Sequence, residues 1–196
     1  MVMQVEKTKT YTPEEYLEQE VNSDERHEYI DGEIILMTGA MPSHNKIVLS
    51  LGATLHFCLK RQPYDVFVTD QRLWIPEKRI YTYPDVMVVQ GELQLQEGRK
   101  DTLTNPILIA EVLSKSTQGY DRGQKFQAYR TIPSLQEYLL IDQYTMQVER
   151  YFRTEPNQWM LSEYNQPESV IQLNSIPGEI PLVDLYDKVD FQRDSE

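Results

Sequence analysis

Apolar residues recur along the 196-residue chain with two periods, one close to a helix's and one a strand's, and each predicts its own elements. Thr12-Pro13-Glu14-Glu15 has the form of a helix start: a capping threonine, proline in the first turn, and glutamate three residues after the cap. That helix is expected to run to about Val21. His27–Ile30 and Glu33–Met37 read as two strands around Asp31-Gly32, a pair suited to a tight hairpin turn. From Ser43 to about Arg61, Ile47, Val48, Leu51, Leu55, Cys58 and Leu59 fall at three- and four-residue intervals. They would share the buried face of a second helix, with Cys58 as a core residue. Short strands are expected at Val66–Thr69, Arg72–Ile75 and Pro84–Gln90, followed by a polar surface loop from Gly91 to Asn105.

The stretch ILIAEVL, Ile107–Leu113, predicts a strand that is apolar on both faces, as in a central strand covered by helices on either side. A helix over Gly119–Arg130 and a strand over Glu137–Asp142 complete a strand–helix–strand unit, expected to be a right-handed parallel crossover. Val148–Arg153, Trp159–Tyr164 and Ser169–Leu173 predict antiparallel strands that complete or extend the sheet. PGEIPLVDLYDKV is expected to close with a short helical turn. With no internal repeat and no low-complexity tract, the expected class is mixed α/β in a single domain spanning 1–196. Residues 1–142 would form its core and 143–196 a C-terminal β extension.

Composition narrows the setting. Forty per cent of the residues are apolar, enough for a packed core. No apolar run reaches the roughly 18 residues that span a bilayer. The N-terminus MVMQVEKTKTYTPEEY lacks the apolar core of a signal peptide. A single Cys58 excludes an internal disulfide framework and suits a reducing compartment, so the cytoplasm is the expected location. The formal charge of −12 argues against broad electrostatic binding of phosphate backbones, though it leaves room for a local site.

Candidate chemistry begins with Glu111, the one carboxylate inside ILIAEVL. An ionised group in such a strand needs a partner. Side-chain alternation puts it on the face of Ile109 and Leu113, near the carboxyl end of the strand, where crevices form in open α/β sheets. A second acid, Asp85, follows Pro84 at the head of another apolar strand. Two carboxylates on neighbouring strands repel unless a proton or cation lies between them. Mg²⁺ or Mn²⁺ answers that need, with the Val112 carbonyl as a further oxygen donor. For Glu111 the bland alternative is a structural ion pair, and for Asp85 a turn cap beside Pro84. His27 and His56 read as structural.

These pieces resemble the PD-(D/E)XK nuclease superfamily, and in particular its bacterial branch of Uma-type restriction endonuclease-like proteins. The matching stretches are RHEYIDGEIILM (Arg26–Met37), His44 at the head of the second helix, YPDVMVV, PILIAEVLSKST, and YDRGQKFQAYRTIPSLQEYLLID (Tyr120–Asp142). The resemblance implies a restriction endonuclease-like fold, a central mixed sheet flanked by helices. It implies Asp85 and Glu111 as metal ligands and Glu28 as an acid entering the pocket from the N-terminal segment. One position departs from the pattern: Leu113 stands where the superfamily lysine would be. The branch's lysine matches Lys125 on the following helix, with Lys115 as runner-up. His44, Lys115 and Asp121 are candidate contacts to substrate or to the ligating residues.

The expected activity is metal-dependent hydrolysis of DNA phosphodiester bonds. The alternative is a catalytically idle nuclease-fold protein acting in nucleic-acid binding or assembly, favoured by Leu113 and by the acidity. A glycosidase is disfavoured, since no sugar-stacking cleft is suggested. No Gly-rich phosphate loop, zinc-ligand set or nucleophile elbow is present. A homodimer is expected, joined through the aromatic-rich strands after Glu149.

Overall fold

The computed structural model describes residues 10–115 and 117–192. Ser116 lies outside the described residues, as does most of the N-terminal stretch read as lacking a signal's apolar core. In chain order the elements are α1 (Pro13–Val21), β1 (His27–Ile30), β2 (Glu33–Leu36), α2 (Pro42–Leu59), β3 (Tyr64–Val68), β4 (Arg72–Ile75), β5 (Ile80–Thr82) and β6 (Val86–Gln90). There follow β7 (Thr102–Leu103), β8 (Pro106–Leu113), α3 (Gln118–Tyr120), a π-helical turn (Asp121–Lys125), α4 (Phe126–Tyr129) and β9 (Glu137–Asp142). The chain ends with β10 (Val148–Glu155), β11 (Gln158–Tyr164), β12 (Val170–Gln172), β13 (Glu179–Pro181) and α5 (Leu182–Leu185).

Local chemistry accounts for the first elements. The Thr12 hydroxyl accepts from the Glu15 N–H, and the Glu15 carboxylate accepts from the Thr12 N–H at 2.7 Å. This reciprocal cap satisfies two donors that a helix start leaves free. In the β1–β2 turn, Asp31 and Gly32 have φ of 42° and 108°, the positive values that a two-residue hairpin needs.

Two sheets face each other. One has the order β2-β1-β5-β4-β7, the other β11-β10-β9-β8-β6-β3. Every residue of β8 is buried, so the strand sits between two apolar layers. On one side Leu108, Ala110 and Val112 pack with Ile47, Leu51 and Leu55 of α2 and with Leu182 and Leu185 of α5. On the other, Ile109 and Leu113 pack with Leu73 and Ile75 of β4 and Phe126 and Tyr129 of α4. Each fully buried side chain of this kind contributes about 1.5–3 kcal/mol of hydrophobic stabilisation. Gly52 lets α2 lie close on β3: a Cβ there would come within 2.7 Å of Val68 Cγ2.

Several expectations change. The second cover of β8 is a sheet as well as a helix, because β5 pairs with both β1 and β4 and joins them into one five-stranded layer. The segment read as a loop from Gly91 to Asn105 contains β7, parallel to β4. The strand around Ser169–Leu173 does not extend the main sheet; it pairs with β13 in a separate ribbon. Cys58 is exposed rather than core, because it falls just outside the face that buries Leu55 and Leu59, and His56 is exposed beside it. The aromatic side chains of the β10–β11 hairpin turn partly inward: Tyr151 and Trp159 lie 4.5 and 5.3 Å from the Phe126 ring.

Candidate active site

Antiparallel pairing of β6 with β8 sets Val86 opposite Ala110, so the residue before β6 comes level with the end of β8. That register brings Asp85 to Glu111. The Val112 N–H donates to Asp85 Oδ2 at 2.8 Å, and the Asp85 N–H points to Glu111 Oε2 at 3.4 Å. The two acids, 26 residues apart in sequence, are therefore linked, Glu111 to the Asp85 backbone and Asp85 to the backbone of the residue after Glu111, at the adjoining ends of two interior strands. From the start of α2, His44 Nε2 lies 3.2 Å from the same Asp85 Oδ2.

Lys125 enters from the other side. Its ammonium is 3.0 Å from Glu111 Oε1, 3.3 Å from Glu28 Oε1 and 3.7 Å from Asp121 Oδ1. The π-helical turn between α3 and α4 buries Asp121 and Lys125 together, and such turns are frequent at functional sites. Two further groups complete the cluster. The Tyr129 hydroxyl donates to Glu111 Oε1 at 2.6 Å, and the Thr82 hydroxyl of β5 donates to Glu28.

The electrostatics follow from burial. Glu111 is pushed up to about 8 by burial; Lys125 and the Tyr129 hydroxyl oppose the shift, while Asp85 and Asp121 add to it. Asp121 is also raised, chiefly by burial. Burial pulls the Lys125 ammonium down, but Glu111, Glu28 and Asp121 together outweigh it and hold it well above the ordinary lysine range. Three carboxylates thus share one ammonium, and a fourth, Asp85, stands beside them. The surplus of hard oxygen donors fits a divalent cation of the Mg²⁺ or Mn²⁺ type, held between Asp85 and Glu111. Among the described residues no preformed cluster of three or more His, Cys, Asp or Glu ligands exists, so a backbone carbonyl such as that of Val112 and water would have to complete the shell.

The structure gathers Asp85, Glu111, Lys125, Glu28, Asp121, His44 and Val112 around one cleft of about 520 Å³. Lys115 stays at its rim, with Nζ 5.1 Å from the centre of the Tyr144 ring and its N–H directed to the Tyr144 hydroxyl. Sequence reasoning missed Tyr129, Thr82 and Gln143. Tyr129 stands four residues after Lys125 on the same helix face, which was a usable signal. Thr82 belongs to a strand with no clear alternation. Gln143 is buried beyond the end of β9, where its amide donates to the Leu113 carbonyl at 2.8 Å.

Comparison with known proteins identifies relatives of the chain. The model of the Uma2 family, described as "Putative restriction endonuclease", matches residues 13–183. The "Uncharacterized protein sll1609" of Synechocystis sp. is 47% identical over 162 residues, 83% of this chain and 92% of that protein. A second Synechocystis protein, slr1290, is 36% identical over 169 residues, covering 84% of this chain and 85% of its own length. A solved structure described as "a putative nuclease belonging to DUF820", from Anabaena variabilis, superposes with a TM-score of 0.71. It is 21% identical and covers 90% of this chain and 97% of that one, so the two share their mixed α/β fold. Among the described residues no helix is long and apolar enough to cross a membrane. By the extent of the family match and the identity to these relatives, the chain belongs to the Uma2 family of restriction endonuclease-like proteins.

Proposed function

We propose that the chain is a metal-dependent endonuclease that hydrolyses DNA phosphodiester bonds, with Asp85 and Glu111 as metal ligands and Lys125 as the charged helper. The observation that carries this reading is the mutual tethering of Asp85 and Glu111 at the adjoining ends of β6 and β8. When bound there with the Val112 carbonyl, Mg²⁺ or Mn²⁺ supplies Lewis-acid chemistry at a phosphodiester oxygen and towards an attacking water.

The chain's own residues do the rest. The Val112 N–H and His44 fix the Asp85 carboxylate in one orientation, which lowers the reorganisation needed at the site. Tyr129 holds one oxygen of Glu111 and leaves the other facing Asp85. Lys125, paired with three carboxylates, stays protonated and can orient water or stabilise the charge that builds on the phosphorane-like transition state. Glu28 holds the ammonium from the opposite side and is placed to order water.

Incubation of pure protein with supercoiled plasmid and Mg²⁺ or Mn²⁺ tests the reading against Asp85→Ala. Nicking by the wild type alone is expected; equal nicking by both proteins would sink it. A second reading, an idle nuclease-fold protein in nucleic-acid binding or assembly, draws on Lys125 already neutralising Glu111 at 3.0 Å. Calorimetric titration with Mn²⁺ near neutral pH separates the two, since an idle site takes up no ion. Cutting both strands would call for two such sites, as in a homodimer, for which light scattering gives the mass.

A further inference from the structure

The mouth of the cleft is built unlike its floor. The end of β2 and the loop into α2 form an apolar lip, where Ile35, Leu36, Met37 and Met41 are 42, 48, 38 and 46% exposed. Alternation in a strand would bury one of any two neighbours. Here three consecutive apolar residues stay in solvent because β2 is the edge of its sheet and its end stands clear of the core. Soluble surfaces avoid such runs unless a ligand uses them.

Charge on the lining points the same way. Five carboxylates face the cleft (Glu28, Asp70, Asp85, Glu111 and Asp121) against the cations Lys115 and Lys125. Lys125 is engaged by three of those acids, so Lys115 is the lining lysine left for a phosphate. A duplex binder neutralises about 6–10 phosphates with Lys and Arg and draws much of its affinity from the counterions released. This cleft cannot. Its affinity has to come from the bases, whose faces are available to apolar side chains only when they are unstacked. The same cleft is lined by Tyr144, an aromatic ring beside Lys115. The volume of about 520 Å³ suits one or two nucleotides, and the reacting groups lie deep, with Glu111 3% exposed. A flexible single strand can bend its backbone down to them, whereas a stiff duplex keeps its bases stacked away from the lip.

We propose that the cleft accepts an unpaired strand of nucleic acid in preference to intact duplex, with Ile35, Leu36, Met37, Met41 and Tyr144 receiving its bases and Lys115 a phosphate. The inference rests on reading the cleft as the hydrolytic site and names the substrate class of that site.

Fluorescence anisotropy with labelled single-stranded DNA, single-stranded RNA and duplex DNA of one sequence, in chelator to prevent cleavage, tests it. One of the single strands is expected to bind at least about tenfold more tightly than duplex, and the two arms separate DNA from RNA. The slope of log affinity against log salt is expected near −1, about −0.7 for each phosphate neutralised on a single strand. A Leu36→Ser, Met37→Ser double variant should lose about tenfold in single-strand affinity with unchanged molecular mass, thermal midpoint and Mn²⁺ titration. Equal or tighter binding of duplex, a slope steeper than about −5, or undiminished binding by the variant overturns the inference. So does a change in mass, which would make the lip a protein contact, and so does binding of neither form. A protein that binds single strands yet never cleaves them supports this inference and removes only the hydrolysis.

Discussion

Removing the Lys125 ammonium tests the electrostatic account of the cluster most directly. Lys125→Met keeps the aliphatic stem and strands Glu111 and Glu28, whose oxygens lie 3.0 and 3.3 Å from Nζ. Deleting one partner of a buried pair costs about 3–5 kcal/mol because the remaining charge stays desolvated. Glu111 limits that loss. Its carboxyl is already raised to about 8 by burial and by Asp85 and Asp121, against the opposing pull of Lys125, so loss of the lysine drives it further towards the neutral, protonated form. The lower figure of about 3 kcal/mol therefore applies, and for a chain of this length it lowers the thermal midpoint by roughly 6–12 °C. Glu111→Gln alone leaves Lys125 paired with Glu28 and Asp121, a loss of about 1–2 kcal/mol. The double variant should then be about 1–3 kcal/mol more stable than the sum of the single losses predicts. Urea denaturation in chelator, followed by tryptophan fluorescence and by circular dichroism, gives all four stabilities. If Lys125→Met falls within about 0.5 kcal/mol of wild type, or the cycle closes additively, Lys125 is a solvated side chain and the proposed site loses its centre.

Other perturbations separate the site from its scaffold. Tyr129→Phe removes a buried donor from the Glu111 carboxylate at 2.6 Å and should cost about 1.5–3 kcal/mol in the same denaturation assay. His44→Ala frees the Asp85 carboxylate on one side; calorimetry should then show Mn²⁺ affinity reduced about 10–100-fold with the fold intact. Glu137, far from the cleft, accepts from Arg150 Nε at 2.5 Å and from the Ser175 N–H at 3.1 Å and hydroxyl at 2.6 Å. Glu137→Ala should destabilise by about 3–5 kcal/mol, while whatever folds retains wild-type Mn²⁺ affinity.

The parts of the fold legible in the sequence are those where local chemistry and burial point the same way. The cap at Thr12, the Asp31-Gly32 turn and the apolar period of α2 each appear where their residues predict. Where pairing alone decides, the sequence is mute. Ile80-Tyr81-Thr82 are strand-favouring residues in a run too short to show alternation, yet β5 lies between β1 and β4 and carries the Thr82 hydroxyl to Glu28. Thr102-Leu103 in a polar stretch is drawn into the sheet by β4. Cys58 shows the opposite error: its spacing fits the apolar face, but the face of α2 that packs inward is narrower than the pattern. Asp85 and Glu111 were legible as a pair because each is the one acid in an otherwise apolar strand. Glu28 had no such mark, since its role depends on Lys125 reaching it across two elements.

The placement of leucine at 113 and lysine at 125 has a packing explanation. Leu113 shares the face of Ile109 and is 2% exposed, among Tyr138, Leu140 and Phe126. An ammonium at that position would enter an aromatic and aliphatic layer with no acceptor to meet it, which costs more than a single pair to Glu111 returns. The same layer solves the problem from its other side. α4 packs Phe126 and Tyr129 into it, and the π-helical turn just before Phe126 faces Asp121 and Lys125 towards the carboxylates. The π-helical turn and α4 together thus supply the ammonium, the apolar cover and the Tyr129 hydroxyl. Such an arrangement couples charge placement to core packing. The orientation of Lys125 is fixed by the same contacts that seal β8, so the layer that excludes a lysine from position 113 is the one that holds position 125 in place.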